Sequence, residues 1–86
     1  MIDLYSLPSC VQCNATKRAF QTQGLVEDQD WIEHDLSLPE NESARAWVME
    51  DLGYMQAPIV IIDDDNHWSG FRPDKIVKLQ PKGADT

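Results

Sequence analysis

The chain has 86 residues, 42% of them hydrophobic and 26% charged, with 2 cysteines and a formal net charge of -8. That length supports one hydrophobic core, and the composition is that of an ordinary globular domain, neither disordered nor held together by several disulfides. The acidic balance disfavours a phosphate backbone as partner, and no apolar run approaches the roughly 20 residues that span a bilayer.

Residues 1–5 lack the basic flank and long apolar stretch of a secretory signal, so a cytoplasmic location is expected; a monomer with no nucleic-acid and no membrane partner is expected as well. Residues 2–5 alternate like a strand, and Leu7, Pro8 and Ser9 break the pattern just before Cys10. Val11, Ala15 and Ala19, with Thr16 and Phe20 beside them, then recur at helical spacing up to a stop at Gly24. Cys10 therefore falls at a helix N-terminus. Trp31, Ile32 and Leu36 predict a second strand after a loop over residues 27–30.

Ser37, Leu38 and Pro39 punctuate the chain, and Ala44, Trp47, Val48 and Leu52 mark the core stripe of a second helix that ends at Gly53. Pro58 opens the run Ile59, Val60, Ile61, Ile62, whose unbroken β-branched character predicts a central strand buried on both faces. Residues 63–66 read as a solvated turn, with a fourth short strand over 67–69. Pro73 suits the first position of a last helix with Ile76, Val77 and Leu79 on its apolar side. The expected domain covers residues 1–80, with a frayed tail over 81–86. The order β-α-β-α-β-β-α predicts an α/β fold in which helical crossovers serve a mixed four-stranded sheet.

The chemistry lies in Cys10, Val11, Gln12, Cys13. Two sulfurs three positions apart sit within one helical turn, and such a pair beside a βαβ pattern reads as a redox motif. Closing so small a ring contributes only about 2 kcal/mol by loop entropy, so the spacing serves chemistry better than stability. The helix N-terminus favours a thiolate, making Cys10 the expected nucleophile and Cys13 the resolving thiol. Zinc is the competing use of two cysteines, with His34 and His67 as nominal further ligands. Over thirty residues separate the histidines, against the three to five of finger sites, so no metal is expected.

Residues 5–13, residues 53–60 (Gly, Tyr, Met, Gln, Ala, Pro, Ile, Val) and residues 68–74 (Trp, Ser, Gly, Phe, Arg, Pro, Asp) resemble the NrdH redoxins, glutaredoxin-like proteins that behave functionally like thioredoxins. The likeness is colinear from Ile2 to about Leu79. It implies a thioredoxin-like fold of glutaredoxin type and a disulfide reductase that donates electrons to the large subunit of class Ib ribonucleotide reductase. It further implies reduction by thioredoxin reductase at the expense of NADPH, with no cofactor beyond the Cys10–Cys13 disulfide. A cis Ala57–Pro58 bond facing the two cysteines is also implied, as is a partner-binding surface of Val11, Gln12, Ala57, Pro58, Trp68, Ser69, Gly70, Phe71 and Arg72.

Two features fit independence from glutathione, whose two carboxylates require cations or backbone donors. Ser6, Leu7, Pro8 and Ser9 are uncharged where glutaredoxins carry a basic residue, and Phe71 and Arg72 stand where an acidic pair would follow the glycine turn. Arg72 nevertheless offers a carboxylate one partner. Trp68 and Phe71 have a plainer use in packing the end of the sheet. The competing readings are a glutathione-dependent glutaredoxin and a redox-inactive or zinc-holding adaptor of the same fold. Residues 27–43 are longer and more acidic than the family pattern, and residues 63–65 lengthen the hairpin.

Overall fold

A computed structural model describes residues 1–81. Its elements are β1 (Ile2–Ser6), α1 (Val11–Thr22), β2 (Trp31–Asp35), α2 (Glu42–Ala46), β3 (Ile59–Asp63), β4 (Asn66–Ser69) and α3 (Pro73–Ile76). The order is the expected one, and the strands form a mixed sheet arranged β2-β1-β3-β4. β1 runs parallel to β2, with Ile2 beside Trp31, and antiparallel to β3, with Leu4 beside Val60. β3 is thus an inner strand, as its unbroken apolar run requires.

Alternation along the strands sorts the core onto two faces. Ile2, Leu4, Trp31, Val60 and Trp68 face one way and pack with Phe20 of α1 and Ile76 of α3. Tyr5, Ile59 and Ile61 face the other way and pack with Leu36 and Val48. Phe20 meets Trp31 edge to face with centroids 5.2 Å apart, and both are buried. Burying a side chain of that size stabilises the fold by about 1.5–3 kcal/mol.

Three local expectations change. On α1 the buried residues are Cys13, Thr16 and Phe20, whereas Val11 is 78% exposed. Two residues before Cys13 is about 200° round the helix, so a stripe that turns the Cys13 sulfur inward turns Val11 outward. The second helix is not uniform: a 3-10 turn over Pro39–Asn41 leads into α2, and a π turn over Trp47–Asp51 follows, in which the Leu52 N–H donates to the Trp47 carbonyl at 3.0 Å. Gly53, at φ 79°, ends it, and the Tyr54 N–H returns to the Val48 carbonyl at 3.0 Å. The wide turn leaves Trp47 half-buried, edge-on to Tyr5 at 6.2 Å.

α3 is one turn long, with Ile76 buried but Val77 62% exposed. The Gln23 side chain at the end of α1 donates to the Val77 and Leu79 carbonyls at 2.8 and 2.9 Å. Those carbonyls are thereby satisfied without further helix. Of the expected tail, all but Pro81 lies outside the described residues. In the β3–β4 hairpin the Asp63 carboxylate accepts the Asp65 N–H at 2.8 Å, a local turn that puts the acidic run to structural use. No helix among the described residues is long and apolar enough to cross a membrane.

Candidate functional site

β1 delivers the chain through a turn at Ser9, at φ 57°, to Cys10, which caps α1 in an extended conformation. Cys10 and Cys13 form a disulfide with Cα atoms 5.2 Å apart. The Cys13 N–H points at Cys10 Sγ, 3.1 Å away. A backbone donor at a helix N-terminus would stabilise negative charge on that sulfur once the disulfide opens. Cys10 is half-buried and Cys13 only 1% exposed, so access differs sharply between the two sulfurs.

Two further loops close on the pair. Pro58 follows a cis peptide bond, and the Ala57 carbonyl oxygen lies 3.9 Å from Cys10 Sγ. Ser69 Oγ donates to the Gln56 carbonyl at 2.6 Å, and the Gly70 N–H to the Pro58 carbonyl at 2.8 Å. β4 thus holds the Ala57 loop against the sulfur. The Phe71 N–H donates to Gln12 Oε1 at 3.2 Å, tying the turn before α3 to the residue between the cysteines. Gly70, at φ 88°, adopts the left-handed conformation this approach needs, and a Cβ there would stand 3.6 Å from the same oxygen.

The structure therefore gathers Cys10, Val11, Gln12, Cys13, Ala57, Pro58, Ser69, Gly70 and Phe71 through direct contacts or chain adjacency. Trp68 lies beneath this surface and not on it: it is 4% exposed, packs in the core, and carries Lys75 Nζ 5.7 Å from its ring centre. Phe71 is 38% exposed. Arg72 is engaged at close range, its Nε and Nη2 donating to the two carboxylate oxygens of Asp74 at 3.1 and 2.9 Å. Hydrogen bonding and charge raise the Arg72 guanidinium above its ordinary value and lower the Asp74 carboxyl below the usual carboxylate range.

Two site features escaped the sequence reading. Met55 is 89% exposed beside the Ala57 loop, a placement that a methionine in a short apolar segment does not announce. Asp74 follows the helix-opening Pro73, where an acid is ordinarily ascribed to the helix dipole. Its spacing from Arg72 was the available signal. His34 bonds to Asp3 at 2.9 Å and His67 to the Tyr54 hydroxyl at 2.6 Å. Among the described residues no three His, Cys, Asp or Glu side chains come together to hold a metal.

A four-stranded mixed sheet with a disulfide at the first helix N-terminus and a cis proline against it defines a thiol–disulfide oxidoreductase of thioredoxin-like fold. Comparison with known proteins narrows this. The glutaredoxin family model matches residues 2–68. The glutaredoxin-like protein NrdH of Escherichia coli K12 is 42% identical over 80 residues, covering 93% of this chain and 89% of its own. The NrdH protein of Lactococcus lactis IL1403 is 30% identical over 79 residues, covering 92% of this chain and 99% of its own. The solved structure of the Escherichia coli NrdH-redoxin superposes with a TM-score of 0.73 at 40% identity, covering 93% of this chain and 95% of that one. The chain belongs to the glutaredoxin family, among its NrdH glutaredoxin-like redoxins.

Proposed function

We propose that the protein donates electrons to the large subunit of class Ib ribonucleotide reductase and is itself reduced by NADPH-dependent thioredoxin reductase, acting in the cytoplasm as a monomer with no cofactor of its own. The observation that carries this reading is apolar exposure on the segments that meet at the redox pair: Val11, next to Cys10, is 78% exposed, Phe71, bonded to Gln12, 38%, and Met55, two residues before Ala57, 89%. Such exposure suits a macromolecular partner that gains affinity from buried surface, and not a small anion that needs donors. The Escherichia coli relative is described as having a thioredoxin-like activity profile, in line with this choice.

In the reduced protein the Cys10 thiolate attacks a disulfide sulfur of the substrate. A Cys10–substrate bond forms, and the displaced substrate sulfur leaves as a thiolate and takes up a proton. Cys13, losing its proton, then attacks Cys10 Sγ; the intramolecular disulfide forms and the second substrate thiol leaves. Two electrons pass to the substrate. The test is NADPH consumption in two coupled systems, one with thioredoxin reductase and one with millimolar glutathione and glutathione reductase. Fast turnover is expected in the first and slow turnover in the second. Faster turnover with glutathione would establish a glutathione-dependent glutaredoxin instead.

A further inference from the structure

We propose that Asp74 is a specificity-determining residue, which excludes carboxylate-bearing small thiols such as glutathione from the redox face by occupying the guanidinium of Arg72. The inference rests on the thioredoxin-type reading above and supplies a physical reason for it.

A peptide thiol with two carboxylates needs cations or free N–H donors near the reacting sulfur. Arg72 is the one cation within the segment, residues 69–72, that closes on the cysteines, and it follows Phe71 directly. Asp74 takes it in a two-pronged grip, at 3.1 and 2.9 Å. The neighbouring Phe71 N–H is likewise spent, on Gln12 Oε1. The guanidinium and the amide that this segment could offer a carboxylate are thus both engaged internally. The Arg72 and Asp74 side chains are 47% and 63% exposed, so solvent screens the pair and the block is graded, not absolute. Asp74 acts twice: it neutralises Arg72, and its own charge repels an approaching carboxylate.

Reduction of the protein by glutathione takes two successive thiol–disulfide exchanges. A glutathione thiolate attacks Cys10 Sγ, the Cys10–Cys13 bond breaks, and Cys13 leaves as a thiolate and is protonated. A second glutathione thiolate attacks the mixed disulfide, releasing glutathione disulfide and the Cys10 thiolate. Two electrons enter the protein.

The experiment measures second-order rate constants for reduction of the oxidised full-length protein by glutathione and by uncharged 2-mercaptoethanol, with freed thiols trapped by alkylation. The readout is the ratio of the two constants. Asp74→Asn should raise the ratio about two- to fivefold, the range open to an exposed ion pair, and salt near 1 M should erase the gain. Adding Arg72→Ala to Asp74→Asn should return the ratio to the wild-type level. Asp64→Asn, which removes an equal charge from the hairpin turn, should leave it unchanged. An unchanged ratio in Asp74→Asn, or an equal rise in Asp64→Asn, overturns the proposal. Rapid reduction of the wild type by glutathione would instead overturn the thioredoxin-type reading itself, so the two failures are distinguishable.

Discussion

Gln12 Oε1 accepts the backbone N–H of Phe71 at 3.2 Å, joining residues 59 apart and fixing the turn before α3 to the helix that carries both cysteines. The contact is solvent-facing, so water replaces it at small cost when it is removed, and its effect is local order more than stability. Gln12→Ala should speed hydrogen exchange of the Phe71 amide several-fold while leaving amides in β1 and β3 unchanged. Gln12→Glu keeps an acceptor and should retain the protection. Equal exchange at Phe71 in wild type and Gln12→Ala would show that the turn holds itself.

The unequal access of the two sulfurs predicts an unequal outcome of mutation. Cys13→Ser should accumulate a mixed disulfide on Cys10, since the resolving thiol is gone, and Cys10→Ser should not react with substrate at a comparable rate. Mass spectrometry after incubation with an oxidised peptide reads both. Trapping on Cys13 in Cys10→Ser, with none in Cys13→Ser, would reverse the roles.

Glu33 on β2 accepts from Ser6 Oγ at 2.6 Å and from Lys17 Nζ at 3.0 Å, linking β1, β2 and α1 through one carboxylate oxygen. Ser6 is 2% exposed, so it depends on that acceptor. Glu33→Ala should cost about 1–3 kcal/mol in denaturant unfolding, because a buried hydroxyl is stranded. Glu33→Gln keeps an acceptor and loses only a half-exposed charge pair, and should cost under about 1 kcal/mol. Identical losses would assign the effect to charge alone.

Burial, and secondarily the Asp3 carboxylate, raise the Tyr5 phenol above its ordinary value. Unfolding lets this phenol ionise more readily, so the unfolded chain binds fewer protons than the folded one in alkali. The contribution is fully present below about pH 10 and is lost as the pH rises through the folded value. Melting temperatures should therefore fall more steeply above about pH 10 in wild type than in Tyr5→Phe. Parallel curves would mean that the Tyr5 phenol ionises alike in both states.

The run of Ile59, Val60, Ile61 and Ile62 marked an inner strand, since only a strand covered on both faces keeps four β-branched residues in succession, and the cysteine spacing at a helix start marked the redox pair. Both are local signals, carried by periodicity and by chemistry within one turn. The direction of α1 was less legible: Val11 fits the helical period but lies opposite the buried Cys13, and nothing local tells which of two overlapping stripes meets the sheet.

What the sequence determined by itself was the order of elements and the identity of the two sulfurs, because each follows from residues close along the chain, and the helical crossovers in that order imply a mixed sheet. Only the tertiary structure decided how the site closes. Ala57 against Cys10, Phe71 on Gln12, Trp68 beneath the surface and Asp74 gripping Arg72 depend on where loops stand once the sheet is packed. Whether Arg72 meets a ligand or its own neighbour is settled by a rotamer and a turn at Pro73, which residue order does not encode on its own, and that choice governs which thiols the redox face admits.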